Sequence, residues 1–222
     1  EGDEAAMAFD LGADDAVGSN VSAEELALRT RGLLRRKRQS DRQRARMQDG
    51  LRLAMRDPLT GLYNRRFAAP QLAAAAARSR VEGTPFAVMV MDLDRFKQVN
   101  DLHGHAAGDQ VLIEVARRLT ANLRETDILA RIGGEEFLAI LPGSCMSNAR
   151  RIAERLCQAM DDDPIRLQSG EELHVTVSIG VAVGGVGPEA SFAVDGLVEQ
   201  ADLALLESKG AGRNQVTYRL CA

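Results

Sequence analysis

Cysteine is scarce in this chain, and no apolar stretch is long enough to span a bilayer. Three cysteines, Cys145, Cys157 and Cys221, stand among 222 residues. They form no CxxC pair and no disulfide framework, and they read as reduced thiols of a cytosolic protein. The longest apolar-rich stretches, residues 86–91 and 175–183, fall short of the about 20 residues of a transmembrane helix, so no membrane span is expected. The opening Glu1-Gly2-Asp3-Glu4 lacks the basic-then-apolar pattern of a signal peptide, and a cytoplasmic location is the expectation. What is present is ordinary for a globular protein: 45% hydrophobic and 27% charged residues, which excludes a wholly disordered or collagen-like chain. The length allows one domain plus a fragment, or two small domains. With 28 Lys+Arg against 32 Asp+Glu the net charge is -4. Mild acidity argues against bulk nucleic-acid binding but not against binding a nucleotide.

The charge is unevenly spread. Residues 1–28 hold eight acidic residues and no basic one; residues 29–46 hold nine basic residues and a single acid, Asp41. Such a block can grip nucleic acid or anionic lipid. It lacks aromatics to stack on bases, and residues 35–46 offer almost no apolar face to bury in a membrane. A solvated helix between two modules is the simpler reading, and nucleic acid is not an expected partner. Met47, Leu51, Ala54 and Met55 recur at helical spacing and predict a stalk helix over about 43–56.

Pro58 and Gly61 then punctuate a turn, and an alanine-rich helix is expected over 65–81. Residues 86–91 read as a buried strand that ends in Asp92-Leu93-Asp94. A helix over 108–123, strands over 128–132 and 136–141, a helix over 147–160, a strand over 173–183, a helix over 194–209 and a strand over 215–218 follow. The order β-α-β-β-α-β suggests an α+β, ferredoxin-like sheet with helices on one face.

Two carboxylate clusters carry the chemistry. Asp92-Leu93-Asp94 closes a buried strand, whose end can aim carboxylates at one point in front of the sheet. Gly133-Gly134-Glu135-Glu136-Phe137 suits a tight hairpin whose glycines take positive φ, and it clears side chains where a ligand approaches the backbone. Facing carboxylates suit Mg²⁺, which takes one or two of them plus phosphate oxygens and water. Either cluster alone is a common structural feature.

The hairpin sequence resembles the signature of the GGDEF domain, in its GGEEF form: the domain of diguanylate cyclases, which condense two GTP into cyclic di-GMP. Four further blocks support the resemblance over residues 55–219: Asp57-Pro-Leu-Thr-Gly-Leu-Tyr-Asn-Arg-Arg66, Asp92-Leu-Asp-Arg-Phe-Lys-Gln-Val-Asn-Asp101, His105-Ala-Ala-Gly-Asp109 and Lys209-Gly-Ala-Gly-Arg-Asn214. Residues 1–40, with Leu11-Gly-Ala-Asp-Asp15, Val21-Ser-Ala-Glu-Glu-Leu26 and Leu33-Leu-Arg-Arg36, resemble the last strand and helix of a response-regulator receiver. The expected organisation is therefore a truncated receiver over 1–40, a helical linker over 41–56 and a nucleotide cyclase palm over 57–222. Receivers usually show Lys-Pro after the last strand, where this chain has Ser19-Asn20. The phosphoacceptor aspartate would lie upstream of Glu1, so no switching by this chain's own receiver is expected.

The resemblance implies roles. Asp92, Glu135 and the Leu93 carbonyl would ligate Mg²⁺ or Mn²⁺, two ions per active site. Glu135, with Glu136 nearby, would help deprotonate the attacking 3′-hydroxyl, and Lys97 would offset charge on the phosphates. Lys209 and Arg213 would hold the β- and γ-phosphates, and Gly133 and Gly134 would let substrate approach the backbone. Asn100 and Asp109 would read guanine and reject adenine, with His105 near the nucleotide. Without the resemblance, Lys209 and Arg213 read as a helix end, Asn100 as a turn residue and His105 as a loop residue. Each domain would supply half a site, so catalysis needs a two-fold homodimer. The RxxD tetrad Arg124-Glu-Thr-Asp127 would bind cyclic di-GMP as inhibitor, joined by Arg151 and Arg155 four residues apart on one helix and by Arg78 from a neighbouring domain. Other readings are a catalytically silent domain that binds GTP or cyclic di-GMP and signals to a partner, and a basic-helix adaptor for nucleic acid. Intact Asp92 and Glu135 favour catalysis.

Overall fold

The computed structural model describes residues 7, 10–13, 20–185 and 194–220, less the side chains of 45–49, 51–53, 194–195 and 220. The receiver-like residues Asp14, Asp15 and Ser19, and Cys221, lie outside them. The chain divides into two units, residues 1–54 and 55–222. In the first, a continuous 32-residue helix, α1 (Ala23–Ala54), takes in the whole basic block and nearly all of the expected stalk helix. The Ser22 hydroxyl accepts the Glu25 N–H at its start (3.1 Å), and Glu24 and Glu25 lie in its first turn, where acids favour the helix dipole. Among the described residues, no helix is long and apolar enough to cross a membrane.

The second unit is built on β2 (Phe86–Leu93) and β7 (Val177–Gly184), each buried at all eight positions. They pair antiparallel from Phe86↔Gly184 to Leu93↔Val177. On its other edge β2 pairs antiparallel with β4 (Glu136–Pro142), which in turn pairs with β3 (Ile128–Arg131). The two-residue β1 (Tyr63–Asn64) and β8 (Val216–Leu220) add as parallel edges. The inner order β3-β4-β2-β7 places the first strand between the third and the last, as the β-α-β-β-α-β reading requires.

Alternation along β2 divides the core. Ala87, Met89, Met91 and Leu93 face α4 (His105–Ala121) and α5 (Met146–Asp161). Phe86, Val88 and Val90 face α2 (Arg65–Glu82) and α6 (Val194–Gly210). Burial on both faces is why β2 reads as an unbroken apolar run. This corrects the expectation of helices on one face. The two helices inside the β-α-β-β-α-β unit do share a face, and α2 and α6, outside it, cover the other. Gly180 of β7 permits the second packing, since a Cβ there would lie 2.0 Å from the Ala201 carbonyl oxygen of α6.

Three boundaries differ from the sequence reading. A helix, α3 (Phe96–His103), follows β2 directly. Helix α4 begins at His105 rather than near 108, because Gly104 at φ 81 turns the chain between two helices. The strand expected over 173–183 divides: Leu173 belongs to β6 (Glu172–Leu173), which pairs with β5 (Ile165–Arg166) as a separate hairpin.

Candidate active site

The site assembles at the end of β2. Strand alternation sends Asp92 toward α6, where Lys209, in the helix's last turn, meets it: Nζ lies 2.8 Å from Asp92 Oδ2. Burial pushes the Asp92 carboxyl above its ordinary value; Lys209 pulls it back, and the charges of Glu136 and Asp94 push it up further. Asp94 has a different duty. It accepts from the Thr176 hydroxyl (2.7 Å), the Ser178 hydroxyl (2.7 Å) and the Asn214 N–H (3.0 Å). It thereby bolts β2 to β7 and to the turn that carries Arg213.

The hairpin between β3 and β4 reaches the same place. Asp92 stands opposite Glu136 in the β2–β4 register, and the Leu93 N–H donates to the Glu135 carbonyl oxygen (3.3 Å). Residues 92, 93, 135 and 136 are thus neighbours through backbone pairing. Neither Gly133 nor Gly134 adopts positive φ, which corrects the expected turn chemistry. Gly133 instead leaves room for Glu136, whose Oε2 lies 2.2 Å from where a Cβ would stand.

Arg131, which the sequence reading passed over, holds the hairpin. It donates through Nε (3.0 Å) and Nη2 (2.7 Å) to the Gly134 carbonyl oxygen, and through Nη1 to Asp57 Oδ1 (3.0 Å). Burial opposes the Asp57 charge, but the Thr60 hydroxyl and N–H together with Arg131 hold its carboxyl below the ordinary value. The signal in the sequence was Asp57-Pro58-Leu59-Thr60 with an arginine two residues before the Gly-Gly pair.

The donor set suits a hard divalent cation. It is oxygen only: the buried Asp92 carboxylate, pushed above its ordinary value, beside the backbone-paired Leu93 and Glu135. No three His, Cys, Asp or Glu side chains converge among the described residues. Such a cation would therefore complete its shell with substrate oxygens and water, as Mg²⁺ commonly does.

On the other flank, a Cβ at Gly108 would lie 2.0 Å from Asn100 Oδ1. Glycine there lets the Asn100 side chain lie against α4 one residue before Asp109. Lys97 on α3 and His105 at the start of α4 are exposed. Arg213 is exposed too, at φ 69, and its N–H donates to the Ser208 carbonyl oxygen (3.1 Å).

With this geometry in place, comparison with known proteins decides the family. The model of the family "Diguanylate cyclase, GGDEF domain" matches residues 54–215. The chain belongs to the GGDEF family. It is 39% identical over 213 residues to response regulator PleD of Caulobacter vibrioides, covering 94% of this chain and 46% of PleD. It is 38% identical over 170 residues to diguanylate cyclase DgcP of Pseudomonas aeruginosa, covering 77% of this chain and 25% of DgcP. The chain thus spans less than half the length of both. Its structure superposes with a TM-score of 0.80 and 32% identity on the coiled coil and GGDEF domain of DgcB from Caulobacter crescentus in complex with c-di-GMP, covering 87% of this chain and all of that one.

Elsewhere on the GGDEF domain, the Arg124–Asp127 tetrad forms the turn between α4 and β3. Asp127 Oδ2 accepts the Arg124 backbone N–H (2.9 Å), and the Asp127 N–H donates to the Arg124 carbonyl oxygen (3.0 Å). The carboxylate caps the turn and leaves the Arg124 guanidinium exposed. Arg155 of α5 donates to the Asn122 carbonyl oxygen and so adjoins this turn. Arg151 shares that helix and donates to Asn148 Oδ1 (3.0 Å). Arg78 lies on α2, whose packing is against the opposite sheet face.

Proposed function

We propose that this chain is a diguanylate cyclase, condensing two GTP into cyclic di-GMP and two pyrophosphates in a two-fold dimer. The observation that carries the reading is the backbone pairing of the Asp92–Leu93 strand end with the Glu135–Glu136 hairpin, beside Lys209. A divalent cation, Mg²⁺ or Mn²⁺, held by Asp92, Glu135 and the Leu93 carbonyl would supply Lewis-acid charge at the phosphates.

The chain's own groups do the rest. Lys97, Lys209 and Arg213 hold and neutralise the triphosphate, since positioning and electrostatics supply most phosphoryl-transfer catalysis. Asn100 and Asp109 hydrogen-bond guanine, with His105 at the rim, and adenine would leave that pair unsatisfied. Glu135 and Glu136 accept the proton as the 3′-hydroxyl of one nucleotide attacks the α-phosphorus of the other. A P–O bond forms, the α–β bridge breaks and pyrophosphate leaves. Two such attacks close the ring. The exposed Arg124 guanidinium with Arg155 and Arg151, and Arg78 of a second domain, would take the product and restrain turnover; Asp127 keeps one oxygen for a guanine edge. Residues 1–40 would be a receiver-like segment, and residues 41–56, mostly the C-terminal half of α1, its link to the cyclase.

Incubation with GTP and Mg²⁺, followed by chromatography of the nucleotides, tests the reading. Cyclic di-GMP is expected from GTP, with no cyclic product from ATP. Glu135→Gln is expected to lose more than about tenfold in rate, roughly 1.4 kcal/mol of barrier. A Gln variant retaining more than that removes the role given to Glu135.

A further inference from the structure

We infer that Asn214 and Cys157 are positioning residues: a hydrogen bond between their side chains steadies the turn that aims Arg213. The turn takes positive φ at three successive residues, Gly212 at 124, Arg213 at 69 and Asn214 at 46. Glycine adopts such backbone freely and asparagine more readily than most residues, but arginine does not. An arginine stays there only where its surroundings enforce it.

The backbone is enforced from both sides. The Arg213 N–H donates to the Ser208 carbonyl oxygen of α6 (3.1 Å), and the Asn214 N–H donates to Asp94 Oδ2 (3.0 Å). The Gln215 carbonyl oxygen accepts the Ile179 N–H of β7 (3.0 Å), and the Gln215 side chain donates to the Ser208 carbonyl oxygen (2.8 Å). The Asn214 side chain adds a separate anchor, to a fourth element. Cys157 Sγ, on α5, lies 3.4 Å from Asn214 Oδ1. The Cys157 side chain is buried. Burial and the charges of Asp94 and Asp161 push its thiol up to about 11, so it keeps its hydrogen at neutral pH and donates. The Val177 carbonyl oxygen, at 3.5 Å, is its alternative acceptor.

The space behind the turn gives this anchor its work. A cleft of about 350 Å³ opens between α5 and β8, with Cys157, Asn214, Gln215 and Tyr218 in its lining. The thiol is the one hydrogen-bond partner of the Asn214 side chain among the described residues. Without it, that side chain has open volume to swing into, and the left-handed pair keeps only its backbone bonds. Only the assignment of Arg213 to the triphosphate rests on the cyclase reading; the tether between α5 and the turn does not.

Two nucleotides separate aim from general stability. An α,β-methylene analogue of GTP keeps the β- and γ-phosphates and cannot release pyrophosphate; GMP lacks both. Calorimetric titration of the full chain with each, in Mg²⁺, is compared across the wild type, Asn214→Gly, Cys157→Ala and Cys157→Ser, with a thermal melt of every variant. Glycine accepts the left-handed backbone and removes only the tether. Asn214→Gly and Cys157→Ala are each expected to weaken the analogue by about threefold to tenfold, the order of one hydrogen bond, and to leave GMP unchanged. Cys157→Ser, which keeps a hydrogen to donate, should lose less than Cys157→Ala. Unchanged affinity for the analogue in either tether-removing variant overturns the proposal, as does failure of the wild type to bind it. Equal weakening of GMP and the analogue also overturns it, because the effect is then one on the fold or the base. So does a serine variant no better than alanine, which makes Cys157 a packing residue. Chromatography of products from GTP keeps the two readings apart. A wild type with the expected binding pattern that forms no cyclic di-GMP removes the cyclase reading and leaves the tether standing; one that forms it without the pattern loses the tether alone.

Discussion

Asp92 is held against its own electrostatics. Its folded carboxyl titrates above the ordinary value of 3.8, so it binds its proton more tightly folded than unfolded, and ionisation costs stability as pH rises through that range. Asp92→Asn is therefore expected to melt at or above the wild-type temperature at pH 7 while losing turnover. The gap should close in melts recorded below 3.8, where both side chains are neutral. A variant markedly less stable at neutral pH would mean that the Lys209 pair outweighs the burial. Arg131 makes the complementary case. Arg131→Lys keeps the charge but cannot span Asp57 and the Gly134 carbonyl with a planar fork. We expect a lower Tm and a fall in kcat of about tenfold with KM little changed, of the order of one charge-assisted hydrogen bond. Steady-state kinetics beside a thermal melt reads both.

The elements owe much to one clamp between α4 and α5. Arg118 donates to the carbonyl oxygens of Asp163 (2.6 Å) and Pro164 (3.0 Å), just past α5, and is aimed by Glu114 (2.8 Å). Those carbonyls follow a helix C-terminus, where partners must be found outside the helix. Hydrogen bonds from Arg117 and Arg118 lower the Glu114 carboxyl to about 2. Its contribution is thus full above the ordinary value of 4.5 and fades as pH falls toward 2. Glu114→Gln should lower Tm at pH 7, and the difference from wild type should vanish in melts near pH 2. The sequence made most elements legible because β2 and the long amphipathic helices carry strong periodicity. It hid α3 because that helix lies within a motif whose polar residues obscure any apolar stripe. It hid the division before β7 because Leu173 and Val177 read as one apolar run until Thr176, tied to Asp94 from both its hydroxyl and its carbonyl, is seen as a junction. Asp92 and Glu135 stood out as acids beside a strand end and a Gly-Gly pair. Arg131 did not, because its worth lies in two acceptors, one of them 74 residues away in sequence.

On the proposed assignment one domain would supply one set of carboxylates, one Asn100–Asp109 pair for a base and one set of cations for a triphosphate, while the proposed reaction needs two nucleotides head to tail. Specific activity should therefore rise with protein concentration, because a lone domain cannot present both nucleophile and electrophile. The check is initial rate against concentration with light scattering on the same samples. Constant specific activity across a range that contains only monomers would remove the two-half-site scheme.

The guanidinium of Arg131 also bears on how the chain can be dissected. It draws the first residues of the second unit and the hairpin into one hydrogen-bonded knot, with the Arg131 and Asp57 side chains only 14% and 17% exposed. A fragment begun after Thr60 would leave that guanidinium half satisfied beside the hairpin it steadies. The smallest piece able to carry a working hairpin accordingly starts upstream of Asp57, however little of the long helix it keeps.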